Sequence, residues 1–511
     1  MTGNAANWFV DRHLEEGRGD KPAFREAWDG GRELTYGALA DSASRVAGAL
    51  ARAGIMREER AAMFVLDQIE FPQVFWGAIK AGVLPVPLNT LLATDIYRSI
   101  LEDSRAAIAF VSAELLDVVL PAVRASDHLR QIVVIGGEAP DGTISWDDFL
   151  QGAEPREAVV ASADEVAFWL YSSGSTGAPK GVRHVHGALQ VTCDTFGRDV
   201  LAIREDDVVF SAAKLFFAYG LGNGMSFPMS VGATSLLFKG RPTPDSVSEI
   251  LATYQPTIYY GVPTLFAAML HKWEADGAAP KAPLRVCTSA GEALPAEIGR
   301  KWKALWGVDI LDGVGSTEML HIFLSNRPGE VEYGTSGTAV PGYEVRLVDE
   351  DGHDVPAGGV GELLVRGGSS AADYWNQRQK TRTTFEGEWT RTGDKYELTE
   401  AGRYIYCGRT DDMFKVSGIW VSPFEIEQAL VEYPCVLEAA VVAHRDSDDL
   451  EKPKAFIVLK NTDEPFELDG LKSFIKDKIG KWKYPRWVEV VEDLPKTATG
   501  KIQRFKLREL A

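Results

Sequence analysis

Tyr171-Ser172-Ser173-Gly174-Ser175-Thr176-Gly177-Ala178-Pro179-Lys180-Gly181 is the stretch whose residue types and order speak most directly of chemistry. It follows an apolar run at 166–171. Ser173, Ser175 and Thr176 supply hydroxyl donors for phosphate oxygens, and Ser172 opens the same run. Gly174, Gly177 and Gly181 let the backbone come close to a ligand, and Lys180 adds a cation. Successive backbone N–H groups in such a loop form an anion-binding concavity. The loop is not a Walker A motif, because the position that needs the second glycine, counted from Gly174, is Pro179. A plain Ser/Gly turn is the competing reading. The apolar run before the loop and the Pro-Lys-Gly that ends it favour phosphate binding.

Other reactive residue types do not assemble into a nucleophilic site. No Ser/His/Asp or Cys/His arrangement stands out, so chemistry without a side-chain nucleophile is expected. Cys193, Cys287, Cys407 and Cys435 have no metal-ligand spacing and read as reduced thiols, mostly buried. His184 and His186 alternate, but with no third ligand in sight a role other than metal binding is favoured.

The segment 172–181 resembles the phosphate loop of the adenylate-forming superfamily, which includes acyl- and aryl-CoA synthetases, peptide-synthetase adenylation domains and beetle luciferases. Four further segments match that family in order, and the resemblance covers essentially the whole chain. Ser289-Ala290-Gly291-Glu292 is similar to the segment whose backbone lies along the adenine. Asp312-Gly313-Val314-Gly315-Ser316-Thr317-Glu318 is similar to the segment that contacts nucleotide and metal. The resemblance gives Thr317 a hydrogen bond to the α-phosphate and gives Glu318 a Mg²⁺ ion, a hard cation that prefers oxygen ligands. The aromatic residue that many relatives carry near Asp312 or Gly313, to stack on adenine, is absent here. Thr392-Gly393-Asp394 resembles the ribose-binding motif, where a carboxylate accepts two hydroxyl hydrogen bonds, and Arg409 is expected near the ribose too. Pro495-Lys496-Thr497-Ala498-Thr499-Gly500-Lys501 resembles the C-terminal loop that carries the catalytic lysine. Any one of these segments is weak evidence alone.

The chemistry the resemblance implies has a physical logic. A carboxylate does not acylate a thiol, because an oxide would have to leave. Attack on the α-phosphorus of ATP makes that oxygen part of a good leaving group, AMP. Both reactants are anions, so Lys501 is expected to bridge them while Thr317 and the Mg²⁺ site at Glu318 take up developing charge. Losing one such preorganised donor costs on the order of 10²–10³-fold in rate. For the second step, in which coenzyme A takes the acyl group, the resemblance implies rotation of the C-terminal domain about a hinge at Asp411. It also implies a pantetheine tunnel face at Lys415-Val416-Ser417-Gly418-Ile419-Trp420.

Ala213-Lys214-Leu215-Phe216-Phe217-Ala218-Tyr219-Gly220-Leu221-Gly222 sits where the family builds its acyl pocket, and His321-Ile322 would form the opposite wall, with Gly315 nearby. Aromatic side chains among small ones make a flat slot rather than a long tunnel. The combined pattern is similar to benzoate- and hydroxybenzoate-CoA ligases in particular. Adenylation for a free-standing carrier-protein thiol and a non-catalytic acyl-AMP-binding protein remain the alternatives.

These groups need a scaffold, and the chain carries a suitable one. Apolar β-rich runs at 60–66, 107–112, 131–135, 166–171, 208–211, 234–238 and 257–260 alternate with helical patterns such as 35–53 and 69–81. That alternation predicts an α/β fold with mostly parallel sheets. Short strand patterns at 344–348, 361–365 and 404–407 predict a small β-rich subdomain over 334–409. Residues 1–409 are expected to form the AMP-binding domain and 410–511 a small mobile α+β lid, with helices at 422–431 and 468–479. Of 511 residues, 54 are Lys or Arg and 73 Asp or Glu, a net charge of −19, which disfavours nucleic acid as a partner. No run reaches the length of a membrane span, and Met1-Thr2-Gly3-Asn4 does not open a signal peptide; a cytoplasmic enzyme, monomer or homodimer, is the expectation.

Overall fold

The computed structural model describes residues 3–173, 179–410, 412–416, 419–446, 450–460, 466–480, 483–496 and 502–510, without the side chains of Ser173, Lys415, Ile419 and Trp420. Packing divides the chain into two compact units. The first comprises Met1–Tyr333, Gly337–Glu344 and Val365–Thr390, and the second Gly334–Ser336, Val345–Leu364 and Arg391–Ala511.

Three sheets organise the first unit. In the largest, Ile310–Gly315, Val286–Ser289, Ile258–Gly261, Val208–Ser211, Thr234–Leu237 and Pro22–Glu26 lie side by side in that order and parallel. Ile322–Ser325 and Thr338–Ala339 extend one side antiparallel, and Glu33–Thr35 closes the other. The helices Pro244–Tyr254, Pro263–Asp276 and Ala296–Trp306 bring Trp273 and Trp302 onto Tyr259 and Phe266 in a shared core. A second sheet is wholly parallel, in the order Leu84–Pro87, Arg60–Phe64, Ile108–Ser112, Gln131–Ile135 and Ile144–Ser145. Parallel strands need crossover helices, and the sequence supplies them with start signals. Thr35 caps Tyr36–Arg52 by accepting from the Ala38 amide (3.1 Å), and Thr243 with Ser246 forms a reciprocal cap on Pro244–Tyr254.

The third sheet departs from the parallel pattern. Val166–Ser173 is answered antiparallel by Pro179–Val185, and Asp373–Tyr374 adds a third strand from far along the chain. Ser172 and Lys180, the described ends of the phosphate-loop segment, therefore sit on paired antiparallel strands.

In the second unit, residues 345–348, 360–364, 391–398 and Tyr404–Arg409 are strands of one sheet. Val436–Arg445, Glu451–Leu459 and Trp487–Val490 form another, packed with the helices Pro423–Val431 and Leu468–Ile479. Ser422 caps the first of these helices through the Glu425 amide (3.1 Å). Among the described residues, no helix is long and apolar enough to cross a membrane.

Candidate active site

Val208–Ser211, Ile258–Gly261, Val286–Ser289 and Ile310–Gly315 are neighbouring parallel strands that end along one edge of the large sheet. Carboxyl ends of parallel strands are where open α/β sheets gather ligand-binding loops. The segments 213–222, 289–292 and 312–322 all belong to these strand ends. Register sets Gly261 beside Ser289, and Ser289 beside Asp312. Among the described residues, Ser289 Oγ and Asp312 Oδ1 are buried without a hydrogen-bond partner. Burial pushes the Asp312 carboxyl well above the usual carboxylate range, against the Leu294 and Gly313 amides that favour its charge. Unpaired buried polar atoms cost about 1–3 kcal/mol each, and these two lie on adjoining strands of that edge. Ala290 is buried, whereas Gly291 is exposed and Glu292 half-buried beyond it.

A cluster of packed aromatic rings forms at the same edge. The loop after Ser211 is tight: Phe217 N donates to Lys214 O (3.0 Å), and a Cβ on Gly220 would lie 2.0 Å from that same carbonyl oxygen. The Lys214 ammonium donates to the carbonyls of Phe238 and Gly240, and Leu215 N to Asp67 (3.2 Å), which ties the loop down from both sides. Lys214 thus straps the loop with its charge on backbone carbonyls. Phe217 precedes the helical turn Ala218–Leu221, with its ring 4.4 Å from that of Phe216. The Tyr219 hydroxyl meets Thr288 Oγ1 at 2.6 Å. His321 is 3% exposed, with its ring 4.5 Å from Phe227, 5.1 Å from Phe196 and 5.6 Å from Tyr219. Its Nε2 lies 3.1 Å from Asn223 Oδ1; with that oxygen as acceptor, the ring proton sits on Nε2. Burial pushes the imidazole down to about 3, so the ring is neutral near pH 7. A Cβ on Gly222 would lie 2.4 Å from His321 Cδ2, so glycine is what lets the ring settle there. Ile322 begins the strand paired antiparallel to Ile310–Gly315, opposite Gly315.

Three residues before His321 the character changes. The turn through Thr317 and Glu318 closes with Leu320 N on Thr317 O (3.1 Å) and holds Leu320 at φ 65°, a strained value for a branched side chain. Glu318 Oε1 accepts from the Tyr374 hydroxyl (2.7 Å) and lies 3.6 Å from Lys180 Nζ. Lys180 is buried, over the Tyr374 ring at 4.6 Å. Cross-strand register sets Lys180 opposite Ser172, whose Oγ is buried without a partner among the described residues. The Tyr171 hydroxyl donates to Asp103 (2.5 Å), anchoring that strand pair. His184 stacks on Phe168 (5.1 Å), pushed down to about 4 by burial, and His186 Nδ1 accepts from the Ala5 amide (3.1 Å). All four cysteines are free thiols.

In the second unit, Asp394 and Arg409 are cross-strand partners, and Arg409 Nη1 donates to Asp394 Oδ1 (3.0 Å) and Thr392 O (3.1 Å). Lys415 pairs in register with Trp420. Gly174, Ser175, Thr176, Gly177, Asp411, Ser417, Gly418 and Lys501, with the side chains of Ser173, Lys415 and Trp420, lie outside the described residues.

Asn223, Thr288, Phe196, Phe227 and Tyr374 join these clusters without having been singled out from sequence. Asn223 had a signal: it follows Tyr219 by four, the spacing of one helix face. Thr288 and Tyr374 arrive through strand register, which no local pattern encodes.

Comparison with known proteins follows the same outline. The AMP-binding enzyme family model matches residues 10–375, and the model of its C-terminal domain matches 425–501. A 4-hydroxybenzoate–CoA/benzoate–CoA ligase of Rhodopseudomonas palustris is 55% identical over 99% of this chain and 94% of its own length. The crystal structure of a benzoate CoA ligase from Burkholderia xenovorans superposes with a TM-score of 0.89 at 47% identity, covering 99% of this chain and 100% of that one. An anthranilate CoA ligase in complex with anthranoyl-AMP gives 0.94 at 41% identity, covering 100% and 97%.

Proposed function

The chain belongs to the AMP-binding enzyme family, and from that premise we propose that it ligates a benzoate-class acid to coenzyme A through an acyl-adenylate, with release of AMP and pyrophosphate. The observation that carries the proposal is the buried apolar cluster of Tyr219, Phe196, Phe227 and neutral His321, which lies three residues along the chain from the Lys180–Glu318–Tyr374 cluster. An aromatic ring fits the first and a polyphosphate the second. The similar ligases named above act on benzoate, hydroxybenzoate or anthranilate, and one holds an aryl-adenylate.

Roles follow from chemistry. The loop from Ser172 to Lys180 grips the triphosphate through hydroxyls, N–H groups and the ammonium. Asp394, with Arg409 beside it, takes the ribose hydroxyls. Thr317 orients the α-phosphate. The donor set at Glu318 suits Mg²⁺, which asks for one or two carboxylates and completes its shell with phosphate oxygens and water; when bound, the ion neutralises charge on those oxygens. Lys501 bridges carboxylate and α-phosphate during the first step, and a lid formed by 410–511, hinged at Asp411, then admits the thiol along Lys415–Trp420.

Pyrophosphate release, assayed with ATP, Mg²⁺ and a panel of aromatic and aliphatic acids, tests the proposal. Benzoate and small ring-substituted benzoates should drive release; acetate and fatty acids should not. Release with aliphatic acids alone, or with no acid, defeats it.

A further inference from the structure

We infer that Tyr374 is a positioning residue that fixes the Glu318 carboxylate for its metal and sets Lys180 beside it. The inference rests on the proposed metal role of Glu318.

The turn carrying Glu318 is braced by a segment about fifty residues further on. Ala371 N donates to Glu318 O (2.8 Å), Ser369 Oγ to Met319 O (2.7 Å), and the Tyr374 hydroxyl to Glu318 Oε1 (2.7 Å). That segment is also sewn to the phosphate-loop hairpin. Asp373 lies opposite Arg183 and Tyr374 opposite Val182 across the strand pair, and Arg183 grips Asp373 with two bonds (2.6 and 2.5 Å). Trp375 N donates to Gly181 O (2.8 Å). Neighbouring residues of a strand point to opposite faces. The strand Asp373–Tyr374 thus spends Asp373 on the hairpin and turns Tyr374 towards Glu318.

Tyr374 then serves two charges with two parts of one side chain. Its hydroxyl orients the carboxylate, and its ring face receives the Lys180 ammonium at 4.6 Å. Lys180 lies 3.6 Å from Glu318, so the ring and hydroxyl together set the spacing of a cation and an anion at the end of the loop. A carboxylate meant to bind a metal loses affinity when the group orienting it is removed, by roughly 10–100-fold in well-ordered sites.

The test is Tyr374→Phe in the full-length chain, which deletes one hydroxyl and keeps the ring under Lys180. ATP binding is measured by calorimetry at saturating Mg²⁺ and in EDTA, without acid or coenzyme A, and melting temperature is recorded. The ratio of the two affinities should fall roughly tenfold, with the loss confined to the Mg²⁺ arm. Tyr374→Leu should in addition weaken binding in EDTA, because Lys180 loses its ring. Glu318→Gln, run alongside, must lose the Mg²⁺ enhancement. A normal ratio in Tyr374→Phe beside a defective Glu318→Gln overturns the positioning role alone, whatever happens to the melting temperature. A normal ratio in both overturns the metal role of Glu318 as well. A Leu variant that binds in EDTA like the Phe variant overturns the part given to the ring.

Discussion

His321 and Glu318 are three residues apart, yet they occupy opposite electrostatic regimes. His321 is wrapped in Phe196, Phe227 and Tyr219 and has given up its charge. Glu318 is held beside an ammonium and a phenol hydroxyl. The strained turn at Leu320 separates them. In the proposed function, one sheet edge serves two unlike ligand parts. Burial without charge suits a ring, because a charged imidazole there would lose more hydration than its neutral hydrogen-bond partners repay. Paired charge suits phosphate, because ammonium, carboxylate and metal can exchange partners with it.

The largest effect is expected from Lys501, the lysine proposed to meet both anions. Lys501→Ala should lower adenylate formation by at least about 10²-fold while largely sparing thioester formation from supplied benzoyl-AMP; equal losses in the two half-reactions, read by quenched single-turnover assays, would remove Lys501 from its assigned step. On the neutral side a smaller effect is expected from Gly222→Ala. Its new methyl group would collide with the His321 ring and narrow the slot, lowering kcat/KM for ring-substituted benzoates roughly tenfold more than for benzoate itself. A uniform loss across the acid panel would place that ring outside the slot. The least effect should come from pH. The folded His321 value of about 3 lies below its ordinary 6.5, so between those values the unfolded chain binds the extra proton. Its stability contribution is therefore complete above about 6.5 and is lost as pH falls toward about 3. Buried His184, at about 4, adds in the same direction. Melting temperature should decline on acidification from pH 7 to 5, and His321→Leu should flatten part of that slope; an unchanged slope would show that the imidazole is solvated.

The same contrast governs what could be read from residues alone. Hydrophobic alternation found the parallel strands to within a few residues; 60–66 became Arg60–Phe64 and 131–135 became Gln131–Ile135. Those are local signals, and so are the Gly/Ser loop and the aromatic run at 216–219. Tyr374 was invisible because its meaning depends on a strand pairing across nearly two hundred residues. Lys214 shows the opposite limit. It sits in the segment expected to wall the slot, but only the loop 238–240 reveals where its ammonium goes. Composition names the groups, while register decides whom they face.

Attack at the α-phosphorus fixes where the carboxylate oxygen goes. Benzoate labelled with ¹⁸O in both carboxylate positions, taken through one turnover with ATP, Mg²⁺ and coenzyme A, should leave one labelled oxygen in AMP and none in pyrophosphate. Label in pyrophosphate or in inorganic phosphate, or unlabelled AMP beside newly formed thioester, would contradict attack at the α-phosphorus.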